Sequence, residues 1–152
     1  NVMRVLDAKK ISYESHNYVD SGAISGTEVA KALGQNPDAV FKTLVTVSKS
    51  KKYYVFLVPV EKELDLKKAA ACAGEKKIEM LKAKELLGLT GDIHGGCSTI
   101  GMKKIFPTFI DKSAAEQETI CFSGGKIGFQ VQLSLEDLKK VIRFELADIV
   151  EE

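Results

Sequence analysis

Two apolar runs in the first half of the chain place the strongest constraint on its fold. Phe41–Ser48 and Tyr53–Val60 are rich in β-branched and aromatic residues, and only the polar stretch Lys49–Lys52 separates them. Such a pair predicts a β-hairpin. Alternation along the first run puts Phe41 on one face and Leu44 on the other. Because both faces carry apolar side chains, we expect the hairpin to be covered on both sides.

Helix-capping patterns follow in the flanking sequence. Ser25 with Glu28 three positions later is a capping-box pattern, and Gly34 is placed to end that helix. Asp65 precedes a second helical run, Leu66–Ala73. The remaining predicted elements are a helix in Val2–Lys10, strands at Tyr13–Tyr18, Lys77–Met80, Pro107–Asp111, Thr119–Ser123 and Phe129–Leu133, a short helix at Ala83–Leu87 and a last helix opening at Ser134. This mixture predicts an α+β (mixed α/β) fold, and 152 residues suit a single domain over 1–152.

The charge balance excludes one class of partner-binding protein. The chain has 22 basic and 21 acidic residues, a net charge of +1. That is incompatible with a globally basic coat for nucleic acid, although a local basic surface remains possible. Three small lysine clusters would have to converge in space to form one: Lys49–Lys52, Lys76–Lys77 and Lys103–Lys104.

Cysteine and histidine spacing argues against a metal centre. Cys72, Cys97 and Cys121 lie too far apart for a zinc knuckle or a disulfide framework, which favours reduced thiols in a cytoplasmic protein. His16 and His94 do not form a metal-spaced pair. The sequence also lacks a phosphate-loop motif, a dinucleotide-binding fingerprint and any apolar run long enough for a membrane span. We therefore expect no metal, no cofactor and no membrane contact.

A glycine-rich segment, Thr90–Gly101, carries no clear period and contains four glycines. Glycine allows close approach of backbone to a ligand, and N–H groups in such turns bind oxygen anions. Cys97 and Ser98 near His94 suggest a nucleophile, but that chemistry needs a base within reach and a third group that orients it. Proximity in sequence shows neither. An ordinary loop and an oxyanion-binding loop both remain open.

Lys42 is the second candidate for function. It lies in a strand whose two faces are both apolar. A lysine there either escapes to solvent at the end of the strand or points into a polar cleft, and most lysines are exposed.

Taken in order, short segments spread over nearly the whole chain resemble the YbaK family, which includes bacterial Cys-tRNA(Pro) deacylase and the editing domain inserted in prolyl-tRNA synthetase. The segments are His16–Tyr18, Phe41–Leu44, Leu64–Lys68, Lys76–Met80, Thr90–Gly91, Gly95–Ser98, Gly101–Lys104 and Ser123–Gly128. No one segment is specific, but the ordered set is. The resemblance implies a curved, barrel-like mixed β-sheet flanked by helices, and a lysine in the pocket at the position of Lys42.

The resemblance also implies a set of site residues. These are Lys42, Gly95, Gly96 and Ser98 as catalytic residues and Tyr18, Gly101, Ser123 and Gln130 as substrate-binding residues. Three positions depart from the family pattern. Thr99 replaces the usual proline of the glycine loop, and Cys97 stands where an aliphatic residue is common. Gln130 occupies a position that is aspartate in some members, so no carboxylate role is carried over.

The function implied by the resemblance is hydrolysis of mischarged tRNA, Cys-tRNA(Pro) first among the substrates. Water or the thiol of the substrate would attack the aminoacyl ester. The alternatives are an Ala- or Ser-tRNA deacylase of the same family, or a non-catalytic module that binds aminoacyl-tRNA or a nucleotide. The implied partners are the acceptor end of the tRNA and prolyl-tRNA synthetase. The oligomeric state stays open.

Overall fold

A computed structural model describes residues 2–82, 85, 100, 106–125 and 127–152. Of the predicted elements, the short helix at Ala83–Leu87 lies outside these residues except for Glu85. The glycine-rich segment Thr90–Gly101 lies outside them except for Ile100.

Except for the first, the α-helices that the structure describes in full begin directly after a predicted capping residue: Ser25, Asp65 or Ser134. They are α1 (Val2–Ala8), α2 (Gly26–Ala32), α3 (Leu66–Ala73) and α4 (Leu135–Leu138), with 3-10 helices at Val19–Ser21, Pro37–Ala39 and Lys112–Glu116. Ser25 and Glu28 form a reciprocal capping box at the start of α2. The carboxylate of Asp65 accepts from two backbone N–H groups at the start of α3. Gly34 and Gly74 follow α2 and α3 with positive φ, the conformation that favours glycine at a helix end.

Eight strands are described, and they form two sheets. They are β1 (Glu14–Asn17), β2 (Phe41–Ser48), β3 (Tyr53–Pro59), β4 (Ile78–Met80), β5 (Thr108–Asp111), β6 (Ile120–Ser123), β7 (Phe129–Leu133) and β8 (Glu145–Ala147). One sheet has the order β1-β7-β6 and the other β4-β2-β3-β5-β8. An isolated parallel bridge between Val40 and Cys121 connects them. The mixed α+β class is confirmed, whereas a barrel-like closure remains a prediction.

The hairpin forms as predicted and lies inside the larger sheet. β2 and β3 pair antiparallel from Phe41↔Pro59 to Val47↔Tyr53. Phe41 belongs to a core cluster that also contains Phe122 of the smaller sheet. On the opposite face, Leu44 packs against the cluster beneath α3. Both faces of β2 are therefore covered, as its two-sided apolar pattern indicates.

The C-terminal region differs from the sequence expectation. The last helix is capped by Ser134 but ends at Leu138, one turn after it begins. Val141 and Ile142, which share the helical spacing of Leu138, instead pack against the main core from the turn that follows. The chain then adds β8, which pairs parallel with β5. That strand has only three residues, too few for a periodic signal to stand out.

Candidate active site

A cleft of about 320 Å³ opens beside the first half of β2. Residues of α2, β2, β6 and β7, and of the segments that precede α2 and β2, line it: Tyr18, Ile24, Ser25, Gly26, Glu28, Val29, Val40, Phe41, Lys42, Thr43, Leu44, Phe122, Ser123 and Gln130. The fold thus brings together the four described residues that the sequence predicts for the site, Tyr18, Lys42, Ser123 and Gln130. Gly95, Gly96, Ser98 and Gly101 lie outside the described residues.

Lys42 supplies a positive charge at the wall of the cleft. Its side chain is 25% exposed, and its Nζ lies 3.3 Å from Oε1 of Glu63, whose side chain is 73% exposed. An ion pair with so exposed a partner contributes little to stability. The ammonium can therefore exchange Glu63 for an anionic or carbonyl ligand at small cost.

Along one edge of β2, Thr43 lies between the isolated bridge from Val40 to Cys121 and the pairing of β2 with β4. Val60 N–H donates to Val40 O (2.9 Å) and Ser48 N–H to Lys52 O (2.8 Å), so even-numbered residues direct their backbone groups to β3. Those of Thr43 then point to the opposite edge. There β4 pairs with β2 only from Thr46 to Ser48. Among the described residues, no strand pairs with β2 at Thr43 on that edge.

Tyr18 is held firmly where β1 passes into the first 3-10 helix. Its N–H donates to Gly128 O (2.8 Å), and its carbonyl accepts from the N–H of Ser21 (3.0 Å). The Ser21 hydroxyl donates to the same carbonyl at 2.6 Å. Tyr18 is only 6% exposed, so its ring is part of the cleft wall.

Ser123 and Gln130 face each other across β6 and β7. The Ser123 hydroxyl accepts from the N–H of Gly125 at 3.2 Å, and Gly125 has φ of +101°. A residue with a side chain is strained at that angle, which accounts for the glycine two positions after Ser123. Gln130 is 2% exposed, and its side-chain amide is paired with that of Gln35.

The sequence did not predict the wall that α2 contributes. Ser25, Gly26 and Glu28 line the cleft in addition to capping the helix. A Cβ on Gly26 would lie 2.3 Å from Cγ1 of Val60, so α2 approaches the end of β3 too closely for any side chain. Hydrogen bonds from Ser25 lower the pKa of Glu28. The capping box was visible in the sequence, but its position beside Lys42 was not.

Two residues connect the glycine-rich segment to the core beneath the cleft: Leu81, which precedes the segment, and Ile100, which lies within it. Leu81 N–H donates to Val45 O at 3.1 Å. Leu81 and the buried Ile100 both pack in the cluster that contains Phe41 and Phe122.

Two of the three lysine clusters converge. The N–H of Lys49 donates to the carbonyl of Lys77 at 3.0 Å, which brings the β2–β3 turn against the segment before β4. The side chains of Lys49, Lys51, Lys52, Lys76 and Lys77 are exposed there. We call these five residues the hairpin lysine surface. The third cluster, Lys103–Lys104, lies outside the described residues.

The described thiols are poor nucleophiles. Cys72 and Cys121 are free. Burial raises the pKa of Cys121 to about 12 and also raises the pKa of Cys72. Within the described ranges no group of three or more His, Cys, Asp or Glu side chains is placed to hold a metal ion. No helix in those ranges is long and apolar enough to cross a membrane.

Together, the fold and the site define a class: a mixed α+β domain with a lysine-containing cleft beside the first half of a central strand, β2. Two solved structures share the fold. One, of a hypothetical protein, has a TM-score of 0.87 at 20% identity and covers 99% of both chains. The other, described as a candidate trans-editing enzyme for prolyl-tRNA synthetase, has a TM-score of 0.85 at 23% identity and covers 99% of this chain and 95% of its own.

Sequence comparison identifies the family. The profile of the aminoacyl-tRNA editing domain matches residues 22–141. EbsC of Enterococcus faecalis, provisionally named a Cys-tRNA(Pro)/Cys-tRNA(Cys) deacylase, is 41% identical over 150 residues, which are 98% of this chain and 92% of the relative. The chain belongs to the aminoacyl-tRNA editing family. The family and the class of enzyme predicted from the sequence are thereby confirmed.

Proposed function

We propose that this chain deacylates mischarged tRNA, with Cys-tRNA(Pro) as the preferred substrate. One observation carries the proposal: Tyr18, Lys42, Ser123 and Gln130, predicted from four separate segments, line one cleft. The name of the Enterococcus faecalis relative, 41% identical, agrees with this substrate. Residues 1–152 act as one domain, because the cleft draws on segments from Tyr18 to Gln130.

The reaction asks little of the protein, since an aminoacyl ester is already activated. A rate gain of about 10³ needs only about 4 kcal/mol of transition-state stabilisation. Lys42 holds the ester or the terminal adenosine through charge-assisted hydrogen bonds. Backbone N–H groups of Gly95, Gly96 and Ser98 stabilise the negative charge that develops on the carbonyl oxygen. No strong nucleophile of the protein takes part, in agreement with the raised pKa of both described thiols.

For a cysteinyl ester the substrate brings its own nucleophile. The sulfur bonds to the ester carbonyl carbon, the bond from that carbon to the ribose oxygen breaks, and the thiol proton passes to the ribose oxygen. Water then opens the cyclic thioester and releases free cysteine. Alanyl and seryl esters depend on a water held in the cleft instead, so they leave more slowly.

The size of the cleft and the net charge of the chain bear on which part of the tRNA it binds and on how the tRNA is selected. A cleft of about 320 Å³ admits the aminoacyl end and the nucleoside attached to it, not the body of the tRNA. With a net charge of +1, the chain binds RNA weakly on its own. We therefore propose prolyl-tRNA synthetase as the partner that selects the tRNA, and the cytoplasm as the location.

The test is a panel of tRNA(Pro) charged with cysteine, alanine, serine or proline, with single-turnover rates measured under one condition. Cysteine should leave fastest, and proline should be largely spared. Multiple turnover should persist in the presence of a chelator. Equal rates for alanine, serine and cysteine would replace the thiol route by attack of a bound water. Binding of the charged tRNAs without hydrolysis of any would make the chain a binding module.

A further inference from the structure

Gln130, which lines the cleft, is paired with a second glutamine, Gln35, that does not. Gln35 Nε2 donates to Gln130 Oε1 at 2.7 Å, and Gln130 Nε2 donates to Gln35 Oε1 at 3.0 Å. The two residues are 95 positions apart in the chain. Gln130 lies in β7, the centre strand of the smaller sheet, and is only 2% exposed. Such a buried amide is costly to leave without partners, so the two residues hold each other in place.

This pair fixes the far end of α2 to the sheet. Gln35 lies three residues after the end of α2, and its N–H donates to Ala30 O at 2.9 Å in the last turn of the helix. At its other end α2 is fixed by the close approach of Gly26 to Val60. Between these two attachments α2 presents Glu28 and Val29 to the cleft. The distance between the α2 wall and the wall formed by β6 and β7 therefore depends on the Gln35–Gln130 pair.

Cys121 also contacts the Gln35 side chain, and it has no proposed role in the hydrolysis. Its Sγ lies 3.7 Å from Gln35 Nε2. The residue is 3% exposed and packs with Ala30 of α2, beside the bridge that connects the two sheets. The contact gives the Gln35 amide nitrogen a second acceptor, which favours one orientation of the amide over its flipped form.

We propose that Gln35 is a positioning residue for amino-acid selection: it orients the Gln130 amide and holds α2 at the spacing that discriminates among aminoacyl groups. Gln35 itself is absent from the cleft wall. It acts through Gln130 and α2, and not by touching the substrate. The inference rests on the proposed function, because selection is read from deacylation rates.

The chain offers a matched control. Gln132 lies two residues further along β7, on the same face as Gln130. It has a paired amide of its own: its Oε1 lies 2.8 Å from His16 Nε2, and its Nε2 donates to Thr119 Oγ1 at 2.8 Å. Gln132 does not line the cleft. Replacing it removes a comparable side-chain network without touching α2.

The experiment compares Gln35→Met, Gln35→Glu and Gln132→Met. Methionine keeps the length of the side chain and removes both hydrogen bonds to Gln130, whereas glutamate keeps an acceptor for Gln130 Nε2. The ratio of single-turnover rates for Cys-tRNA(Pro) and Pro-tRNA(Pro) should fall about fivefold in Gln35→Met, less in Gln35→Glu and not at all in Gln132→Met. In a Gln130→Met background, Gln35→Met should have no further effect on the ratio, because the contact it removes is already absent.

A second measurement does not depend on activity. Hydrogen exchange of the α2 amides should be faster in Gln35→Met than in the wild type, and unchanged in Gln132→Met. An unchanged rate ratio in Gln35→Met, or unchanged exchange in α2, overturns the positioning role. If the wild type hydrolyses no charged tRNA, the proposed function fails, and the exchange experiment still decides whether Gln35 holds α2.

Discussion

At the scale of single residues, Lys42 lies in a strand with apolar side chains on both faces, and its ammonium group forms a weak ion pair with Glu63. Glu63, its partner at 3.3 Å, is mostly exposed, so the ion pair adds little to stability. Removing the lysine should therefore lower the deacylation rate without lowering the stability of the fold.

Lys42→Ala should lower the deacylation rate at least tenfold, equivalent to about 1.4 kcal/mol, and leave thermal unfolding nearly unchanged. Lys42→Arg should also be impaired, because a planar guanidinium does not replace a compact ammonium. Glu63→Gln is the control: it removes the ion pair but should keep activity. Near-normal turnover in the alanine variant would end the assignment of Lys42.

Two threonines of β2 differ in whether the side-chain hydroxyl has a hydrogen-bond partner. Replacing each with valine should therefore change the free energy of unfolding in opposite directions. Thr46 is fully buried, and its hydroxyl donates to Tyr54 O at 3.0 Å. The hydroxyl oxygen of Thr43 is buried without a hydrogen-bond partner in the part of the chain that the structure describes. Burying a polar group without a partner is unfavourable.

Thr43→Val should therefore raise the free energy of unfolding by about 1 kcal/mol, while Thr46→Val should lower it by a similar amount. Both changes preserve a β-branched side chain in the strand, so strand propensity is matched. Denaturant titration of the two variants beside the wild type measures the difference. Destabilisation by Thr43→Val would show that its hydroxyl has a partner in the folded protein.

At the scale of elements, one network joins the hairpin to the end of α3. The Tyr54 hydroxyl donates to the carboxylate of Glu75, which also accepts from Ser50 at 2.9 Å. This bond, together with burial, raises the pKa of Tyr54 to about 12, and the same bond lowers the pKa of Glu75. Tyr54 is buried, and its ring packs in the core cluster beneath α3.

The raised pKa of Tyr54 predicts a specific loss of stability in alkali. The unfolded tyrosine ionises near pH 10, while the folded one keeps its proton to about pH 12. Its contribution is thus complete below pH 10 and is lost as the pH rises to 12. Between these values, Tyr54→Phe should lose stability less steeply than the wild type. Equal slopes for Tyr54→Phe and the wild type would contradict the assignment.

At the scale of the whole molecule, charge is distributed unevenly over a nearly neutral chain. The net charge is +1, yet the turn of the hairpin and the segment before β4 bring five exposed lysines together. Phosphate contacts by lysine make the binding of nucleic acid dependent on salt. We therefore expect the hairpin lysine surface to contact the phosphates of the proposed tRNA substrate.

Lys51→Glu combined with Lys76→Glu should raise KM for charged tRNA, lower the dependence of KM on salt, and leave kcat nearly unchanged. Lys139→Glu combined with Lys140→Glu makes the same change in net charge just after the end of α4 and should have a smaller effect. An aminoacylated adenosine, which has no RNA stem, should be hydrolysed equally well by both variants. Equal KM effects of the two pairs on charged tRNA would show only a general effect of net charge.

The sequence by itself determined the parts of the protein that depend on neighbours along the chain. The alternation in Phe41–Ser48 and Tyr53–Val60 predicted the hairpin, and Ser25 and Asp65 predicted where two helices begin. These signals are local: strand period, side-chain caps and glycine at positive φ operate within a few residues. The ordered resemblance identified the family and, within it, four residues that meet at the cleft.

The tertiary structure decided which distant parts of the chain pack against these locally determined elements. The α2 wall, the Gln35–Gln130 pair, the β5–β8 pairing and the meeting of two lysine clusters join segments far apart in the chain. A glutamine has the same propensities whether it faces solvent or a second glutamine 95 positions away. Such contacts are selected only when the whole chain packs, because their energy comes from burial and pairing across the core and not from the conformation of either residue.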